Sequence, residues 1–428
     1  MKPIVSKIWS SPTMRNVGKL LSANVFAQAL GLLVYPILTR LYTPEDFGLM
    51  NLFLSIAGVL ILLSTLEWYN AIVLPKSDEE GRALVHLSLI CVLTLTIVLL
   101  LTIPFAKHIA NLFNSPDLAK YYWLLPICVA LTGIWNILNY WYIRCKDFNY
   151  ISEYQISQSL FSAGYKVVFG WIPLTGGLIY ASILSPLCSL ALSIFVSSRR
   201  SIRSLLKWDW CVCKEVAKVY RNFPMFSAPR ALLNNVVGQL PILVLTPLFG
   251  AKLVGFWGMA IMLAFVPIST ITRALYQVFY EKTTENVNAG CSIWPFYKRF
   301  TFWTLFVVIP AFTFLWFVLP SLTAWLLGDE WRTVGVYIRW MLPWLACSVL
   351  NTSTSFLFDV FFKQKQGLYF EILLASLRAI GVGLGVIYEN FEMAIAGYSV
   401  GSAIANGVQY IWLMRLVRMF ENKRPKVR

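Results

Sequence analysis

Long runs of apolar residues recur from one end of the chain to the other, and only short polar segments separate them. A helix crosses the apolar layer of a bilayer, about 30 Å thick, with about 20 residues. Twelve segments meet this requirement: 16–41, 47–74, 83–105, 121–143, 151–172, 176–197, 222–249, 253–279, 299–320, 334–361, 367–388 and 393–414. The pattern therefore predicts an all-α integral membrane protein with about twelve transmembrane helices.

The charged residues support this prediction and orient the chain. Only 13% of the 428 residues are charged, about half of the roughly 25% usual in soluble domains. Of the 36 Lys and Arg residues, 26 flank one side of the predicted membrane, six flank the other, and four lie within spans. The side richer in Lys and Arg is expected to face the cytoplasm. Both termini are therefore predicted to be cytoplasmic, and the net charge of +16 does not require a nucleic acid partner.

The longest polar segment, 198–221, separates the first six predicted spans from the last six. It predicts an N-terminal six-helix bundle (1–197), a basic cytoplasmic linker (198–221), a C-terminal six-helix bundle (222–414) and a basic cytoplasmic tail (415–428). Each predicted bundle has its own set of six apolar segments. The polar linker between them predicts a boundary between two bundles.

Short matches recur in the same order in the two halves. Pro36-Ile37-Leu38 in the first span matches Pro241-Ile242-Leu243 in the seventh, and Gly48 and Gly255 both lie near the start of the following span. With six spans each, the halves have the same topology, so the predicted repeat is parallel. Such repeats suit alternating access, in which two bundles move around a shared cavity.

Basic residues within spans are the strongest indication of function, because each costs roughly 2.5–3.5 kcal/mol at a helix centre. The candidate substrate-binding bases are Lys166, Arg230, Arg273 and Arg378, together with Arg40 at the end of the first span. Such a set favours an anionic ligand such as a phosphate. The structural alternatives are an ion pair that locks two helices, exposure to solvent at a helix end, or extension of a long side chain to the membrane interface.

Polar residues recur at helical spacing near these bases and predict the walls of a wet cavity. The candidate lining residues are Asn24, Gln28, Ser159, Ser162, Asn234, Thr352 and Ser355. Glu67 and Asp359 are acids within predicted spans. Each is a candidate proton or sodium site, or else the charge partner of one of the bases. No cofactor other than such a coupling ion is expected.

Signals of catalysis are absent from the sequence. His86 and His108 are isolated from each other and from other metal-ligand residues, so no metal site or His-based acid–base pair is predicted. The chain also lacks a glycine-rich phosphate loop with its lysine. We therefore expect neither an enzyme nor an ATPase.

Several short motifs follow one another in a fixed order along the chain. The first, Leu38-Thr39-Arg40-Leu41-Tyr42-Thr43-Pro44-Glu45-Asp46-Phe47-Gly48, resembles the opening signature of the Wzx or oligosaccharide flippase family of bacterial polysaccharide exporters. Ala71-Ile72-Val73-Leu74-Pro75, Phe223-Pro224 and Gly328-Asp329-Glu330-Trp331 follow in the family's order. The likeness covers nearly the whole chain and depends on the order of the motifs.

This resemblance implies the fold of multidrug and toxic compound extrusion (MATE) transporters, with twelve helices in two bundles. It implies flipping of undecaprenyl-diphosphate-linked repeat units of O-antigen or another surface polysaccharide from the cytoplasmic to the outer leaflet. The expected location is the bacterial cytoplasmic (inner) membrane. Expected partners are this glycolipid, membrane lipid and other membrane proteins of polysaccharide assembly.

Two other functions stay open at this point. A drug exporter of the same fold would be expected to have acids in its cavity, whereas bases dominate here. A membrane glycosyltransferase, polymerase or ligase would be expected to have a large outward loop with acid–base residues, but the predicted outward loops are short. Asp329-Glu330 is the nearest approach to a carboxylate pair, and a solvated turn explains it.

Overall fold

A computed structural model describes residues 12–172, 174–196, 205, 208–288, 292–361 and 363–422. Within these ranges, twelve helices of at least 20 residues coincide with the twelve predicted spans. We number them α1 (Pro12–Leu41), α2 (Pro44–Thr65), α3 (Asp78–Leu101), α4 (Leu125–Cys145), α5 (Phe148–Trp171), α6 (Gly177–Val196), α7 (Ala228–Phe249), α8 (Ala251–Ala260, the π-helical Ile261–Phe265 and Val266–Asn288), α9 (Trp294–Leu327), α10 (Arg332–Thr352), α11 (Gln364–Ile387) and α12 (Phe391–Asn422).

Ten of these helices are long and apolar enough to cross a membrane by length and composition alone, in the part of the chain that the structure describes. The other two are α5 and α12, whose sequences contain many polar residues among the apolar ones. The helical structure confirms the predicted all-α membrane protein.

The chain divides into two compact units, Met1–Lys252 and Leu253–Arg428. In the first unit, α1 and α6 pack on α5, α3 packs on α4, and α2 packs on α7. In the second unit, α12 packs on α10 and α11, and α9 packs on α10. The bundle boundaries at 197 and 222 stay a prediction from the polar linker.

The turn between α1 and α2 is specified by local sequence. Thr43 Oγ1 accepts a hydrogen bond from Asp46 N at 3.3 Å, and Thr43 N donates to Asp46 Oδ2 at 3.0 Å. This reciprocal cap satisfies amide groups that the start of a helix leaves without partners. Pro44 occupies the first turn of α2, where its missing N–H costs nothing. The Thr43-Pro44-Glu45-Asp46 segment of the family-like motif therefore has a structural role.

Helix α2 ends earlier than the hydrophobic pattern predicts. The second predicted span reaches 74, but α2 ends at Thr65 because Leu66 and Glu67 adopt left-handed φ angles of 46° and 61°. The short helix Trp68–Ala71 follows. Apolar residues continue through this break, and for that reason the pattern does not reveal it.

Arg144, near the end of α4, holds the loop between α2 and α3. One of its terminal nitrogens donates to the carbonyls of Ile72 and Pro75 at 3.0 and 2.7 Å. The other donates to the carbonyl of Ser77 at 2.9 Å and to Asp78 Oδ1 at 3.1 Å. The planar guanidinium can reach several acceptors at once, which an ammonium group cannot do in the same geometry.

Arg144→Lys is therefore expected to lower the free energy of unfolding by about 2 kcal/mol, because several charge-assisted hydrogen bonds are lost. Thermal unfolding of the purified protein in detergent measures this change. The matched control is Arg82→Lys, since Arg82 makes only a 3.9 Å ion pair with Glu79, worth at most about 1 kcal/mol. Equal losses in the two variants would contradict the role given to Arg144.

Candidate functional site

A cavity of about 340 Å³ lies between α1 and α5 in the first unit. Residues from α1 form one wall and residues from α5 form the other. The lining residues are Asn24, Ala27, Gly31, Val34, Tyr35, Leu38, Gln155, Gln158, Ser159, Ser162, Ala163 and Lys166. On each helix they follow the three- and four-residue spacing of a single helical face. The polar stripes that the sequence predicts on the first and fifth spans thus face each other.

Lys166 supplies the positive charge of this cavity. The backbone carbonyl of Lys166 accepts a hydrogen bond from Tyr42 Oη at 2.7 Å, which joins α5 to the end of α1. Among the described residues, no carboxylate forms an ion pair with the Lys166 side chain. The structural alternative of an ion pair between helices therefore has no support at this position. An unpaired ammonium in a cavity favours an anionic ligand.

The cavity also offers hydrogen-bonding groups around the charge. Ser159 Oγ donates to the carbonyl of Ile156 at 2.9 Å, which leaves its lone pairs available to a ligand. Gln155 Oε1 is buried and has no hydrogen-bond partner among the described residues. Gly31 leaves open space, since a Cβ atom built on it has no heavy atom within 4 Å. This wall can accept a polar ligand without rearrangement of its backbone.

Gln158 of this wall was not on a predicted polar stripe, whereas Tyr35 and Gln155 lie on the stripes predicted for the first and fifth spans. The spacing could have identified Gln158, because it lies three residues after Gln155 and four before Ser162 on one helical face. Gln28, a candidate on α1, is half-buried but does not line the cavity. The structure thus brings together four of the candidates: Asn24, Ser159, Ser162 and Lys166.

Arg378 lies in the second unit, on α11, and is only 9% exposed. Its Nε donates to Ser402 Oγ at 2.8 Å. The guanidinium carbon lies 4.7 Å from the ring centre of Tyr398 and 5.4 Å from that of Trp344. Aromatic rings and a hydroxyl, rather than a carboxylate, hold this charge in the part of the chain that the structure describes. Since Lys166 is in the first unit, the grouping of Lys166 with Arg378 stays a prediction.

The other candidate bases are exposed. Arg40 lies in the last turn of α1, Arg230 lies near the start of α7, and Arg273 lies on α8. Asn234, one helical turn after Arg230, is also exposed. An exposed side chain can belong to a cavity wall or to a helix end, so the roles of these four residues stay predictions.

The candidates at the end of the tenth predicted span lie at or beyond the end of the long helix. Thr352 is the last residue of α10, and Ser355 lies in the following turn, where its Oγ donates to the carbonyl of Thr352 at 3.1 Å. Asp359 falls in the short helix Leu357–Val360, and its side chain lies outside the described part of the structure. The predicted end of the tenth span at 361 is therefore wrong, because the long helix ends at Thr352, and the role of these residues in a cavity stays a prediction.

Glu67 lies at the break after α2 and is only 6% exposed. Its carboxylate accepts hydrogen bonds from Tyr69 Oη at 3.3 Å and from the side-chain amide of Asn70. In the described ranges no base forms an ion pair with it. Burial raises the pKa of Glu67 above its ordinary value of 4.5, although both hydrogen bonds act in the opposite direction. Glu67 is thus a buried titratable group.

Because burial favours the neutral form of Glu67, the stability contributed by this group is full below about pH 4.5 and is lost as the pH rises through the raised pKa. Glu67→Gln keeps an acceptor for Tyr69, loses the oxygen that accepts from the Asn70 amide, and cannot ionise. We expect the melting temperature of this variant, relative to that of the wild type, to increase as the pH rises through the raised pKa of Glu67. Melting curves from acidic to basic pH, with the exposed Glu153→Gln as control, measure this effect. A pH-independent difference would contradict it.

A family model described as polysaccharide biosynthesis protein matches residues 37–335 of the chain. No curated protein sequence matches. The chain resembles the solved structure of an inward-facing multidrug resistance MATE family transporter of the MOP superfamily, with a TM-score of 0.71, 16% identity, and 93% of this chain and 96% of that chain covered. It also resembles a mutant of the Vibrio cholerae MATE transporter VcmN, with a TM-score of 0.60, 13% identity, and 95% of this chain and 96% of that chain covered. A third similar structure is that of a MOP superfamily transporter from Pyrococcus furiosus, with a TM-score of 0.53, 15% identity, and 95% of this chain and 96% of that chain covered. These likenesses confirm the predicted MATE-like fold.

Proposed function

Since the chain belongs to the polysaccharide biosynthesis protein family, we propose that it is a flippase for undecaprenyl-diphosphate-linked oligosaccharide repeat units. It moves them from the cytoplasmic to the outer leaflet of the bacterial cytoplasmic membrane. Family membership and the MATE-type fold support a membrane exporter in polysaccharide biosynthesis. The observation that carries the narrower proposal is the cavity between α1 and α5, with the unpaired Lys166 in its wall.

The chemistry of this cavity suits a phosphate attached to a sugar. The Lys166 ammonium donates three hydrogen bonds and carries the positive charge that a phosphate requires. The side chains of Asn24, Gln155 and Ser162 provide donors and acceptors for sugar hydroxyls. The lipid tail of such a substrate stays in apolar surroundings while the polar part occupies the cavity.

Transport proceeds by alternating access, in which the cavity loads from the cytoplasm and then opens outward. A proton gradient is the preferred energy source, because Glu67 is a buried carboxyl group whose pKa is raised by burial. Sodium is the alternative coupling ion, and Asp359 is the alternative acid. Other membrane proteins of polysaccharide assembly supply the substrate and use the product.

Export of cationic drugs is less well supported than flipping of an anionic lipid. For the transporter from Pyrococcus furiosus, the reverse polarity of the binding pocket suggests a different function. The same reasoning applies to the cavity between α1 and α5, because Lys166 repels a cationic drug at close range. An anionic cargo removes this repulsion.

Deletion of the gene in its host, with analysis of lipid-linked oligosaccharide by leaflet, tests the proposal. We expect surface polysaccharide to be lost and complete repeat units to accumulate on the cytoplasmic leaflet. Re-expression of the wild-type chain restores both. Units that reach the outer leaflet normally but stay unpolymerised or unattached would indicate an assembly enzyme and overturn the proposal.

A further inference from the structure

An apolar groove of about 380 Å³ lies between α9 and α10 in the second unit, away from the cavity described above. It runs along the surface of α9, most of which is exposed in the described structure. Its lining includes Val308, Ile309, Phe312, Phe317, Leu342 and Ala346. Because these side chains are apolar and lie within membrane-spanning helices, a hydrocarbon chain is the natural occupant of the groove.

A cation lies at one end of this groove. Pro320 has no N–H, so the carbonyl of Trp316, four residues earlier, loses its usual helical partner. Arg339 Nε donates to that carbonyl at 2.8 Å, and its guanidinium carbon lies 5.7 Å from the centre of the Trp316 ring. The proline and the arginine thus form one local arrangement around Trp316, and Trp316 itself lines the groove.

The two terminal nitrogens of Arg339 donate to no group among the described residues. Glu392 accepts a hydrogen bond from Trp340 Nε1 at 2.9 Å and, among the described residues, forms no ion pair with Arg339. A guanidinium carries five N–H donors, so Arg339 keeps four for an anion. Phosphate, like carboxylate, fits the planar geometry of these donors.

The arrangement has a direction relative to the membrane. Trp316 and Trp340 contact each other edge to face at 5.6 Å, and tryptophans beside an arginine are typical of the membrane interface. From Trp316 to Val308 the groove extends over eight residues, about 12 Å along a helix. In the predicted topology the arginine end faces the outer leaflet. A cation therefore lies at headgroup depth, with a single apolar groove beneath it.

We propose that this groove binds the polyisoprenoid chain of the transported lipid after it reaches the outer leaflet, with its phosphate held by Arg339. This inference rests on the proposed flippase function and assigns the product's lipid part to the surface of α9 and α10. Charge complementarity selects a phosphate lipid over an uncharged one. The transported lipid combines a phosphate with a long apolar chain and therefore matches both the cation and the groove.

Native mass spectrometry of the full chain in detergent tests this proposal, with undecaprenyl phosphate and phosphatidylglycerol offered together. We expect the wild type to retain undecaprenyl phosphate in preference to phosphatidylglycerol. Arg339→Gln removes the charge, and Ala346→Trp fills the groove. Each is expected to weaken undecaprenyl phosphate binding about tenfold, as loss of a charge-assisted contact or of the apolar site requires. Arg332→Gln, an exposed arginine on the same helix, is the control and should bind like the wild type.

Equal retention of the two lipids, or normal binding by both groove variants, would overturn the proposal and leave only ordinary lipid contact. Melting temperatures near that of the wild type show that the variants are folded. This experiment measures lipid binding and not translocation. A negative result would therefore reject the groove proposal and leave the flippase proposal to the leaflet experiment. Conversely, a normal distribution of repeat units between the leaflets after gene deletion would contradict the proposed flippase function, whatever lipid the groove binds.

Discussion

Replacing Lys166 with Met is expected to reduce flipping of the lipid-linked oligosaccharide at least about tenfold, whereas Lys166→Arg should retain most of it. Met is a flexible, unbranched side chain one atom shorter than Lys, and it removes the charge. Lys166 forms no ion pair among the described residues, so its loss leaves no acid unpaired in the structure described. A loss of transport with normal stability would therefore report on ligand binding. Recovery of surface polysaccharide in the deletion strain measures the effect.

Lys120→Met is the matched control, because Lys120 is an exposed lysine paired with Asp117 at 2.7 Å. We expect full activity from it. A second variant, Gly31→Leu, tests the cavity by volume instead of charge, since the position of its Cβ is open. It should also lose transport while folding normally.

The prediction that Lys166 and Arg378 both serve transport is tested by a double variant. Lys166→Met combined with Arg378→Met should abolish flipping. Arg378 also contacts Ser402, Tyr398 and Trp344, so its substitution is expected to affect stability as well. Full translocation by the double variant at normal expression would refute the cationic site.

The positions of the helices could be predicted from the sequence because the bilayer imposes one dominant requirement. Each span needs about 20 apolar residues, and all twelve predicted segments contain a long helix. Where the apolar pattern continues through a turn, the predicted end of the helix was wrong. The left-handed backbone at Leu66 and Glu67 depends on tertiary packing, since neither residue type favours that conformation by itself.

The candidate site was predictable in part for a similar reason. Helical spacing showed that Ser159, Ser162 and Lys166 share one face of a helix, but it did not show which helix lies opposite. The pairing of α1 with α5 is a long-range contact, supported by the hydrogen bond from Tyr42 Oη to the carbonyl of Lys166. No local pattern encodes that contact.

Charge counts likewise identify where a residue lies without showing what it does. Arg144 was counted only as one of the cytoplasmic bases, yet four acceptors of the α2–α3 loop surround its guanidinium. Arg378 was predicted as a cavity base, and the structure surrounds it with aromatic rings. In both cases the partners are distant in sequence.

The packing of α11 against α12 leads to the largest expected loss of stability. A Cβ atom on Gly381 would lie 2.2 Å from the carbonyl carbon of Gly397, and one on Gly385 would lie 2.3 Å from the Cα atom of Ala394. Such distances are far below van der Waals contact, and the opposing atoms are backbone. Small residues four apart allow helix backbones to approach closely in membranes, where van der Waals contact drives association.

Gly381→Ala is therefore expected to lower the free energy of unfolding by about 3 kcal/mol, since the two helices must separate to admit one methyl group. Gly383→Ala is the matched control on the same helix, because its Cβ would have open space around it. Alanine there should be neutral or stabilise the helix by up to about 1 kcal/mol. Thermal unfolding in detergent measures both variants. If they melt together, close glycine packing does not hold α11 on α12, and Arg378 would have to be positioned by its contacts with Ser402, Tyr398 and Trp344 alone.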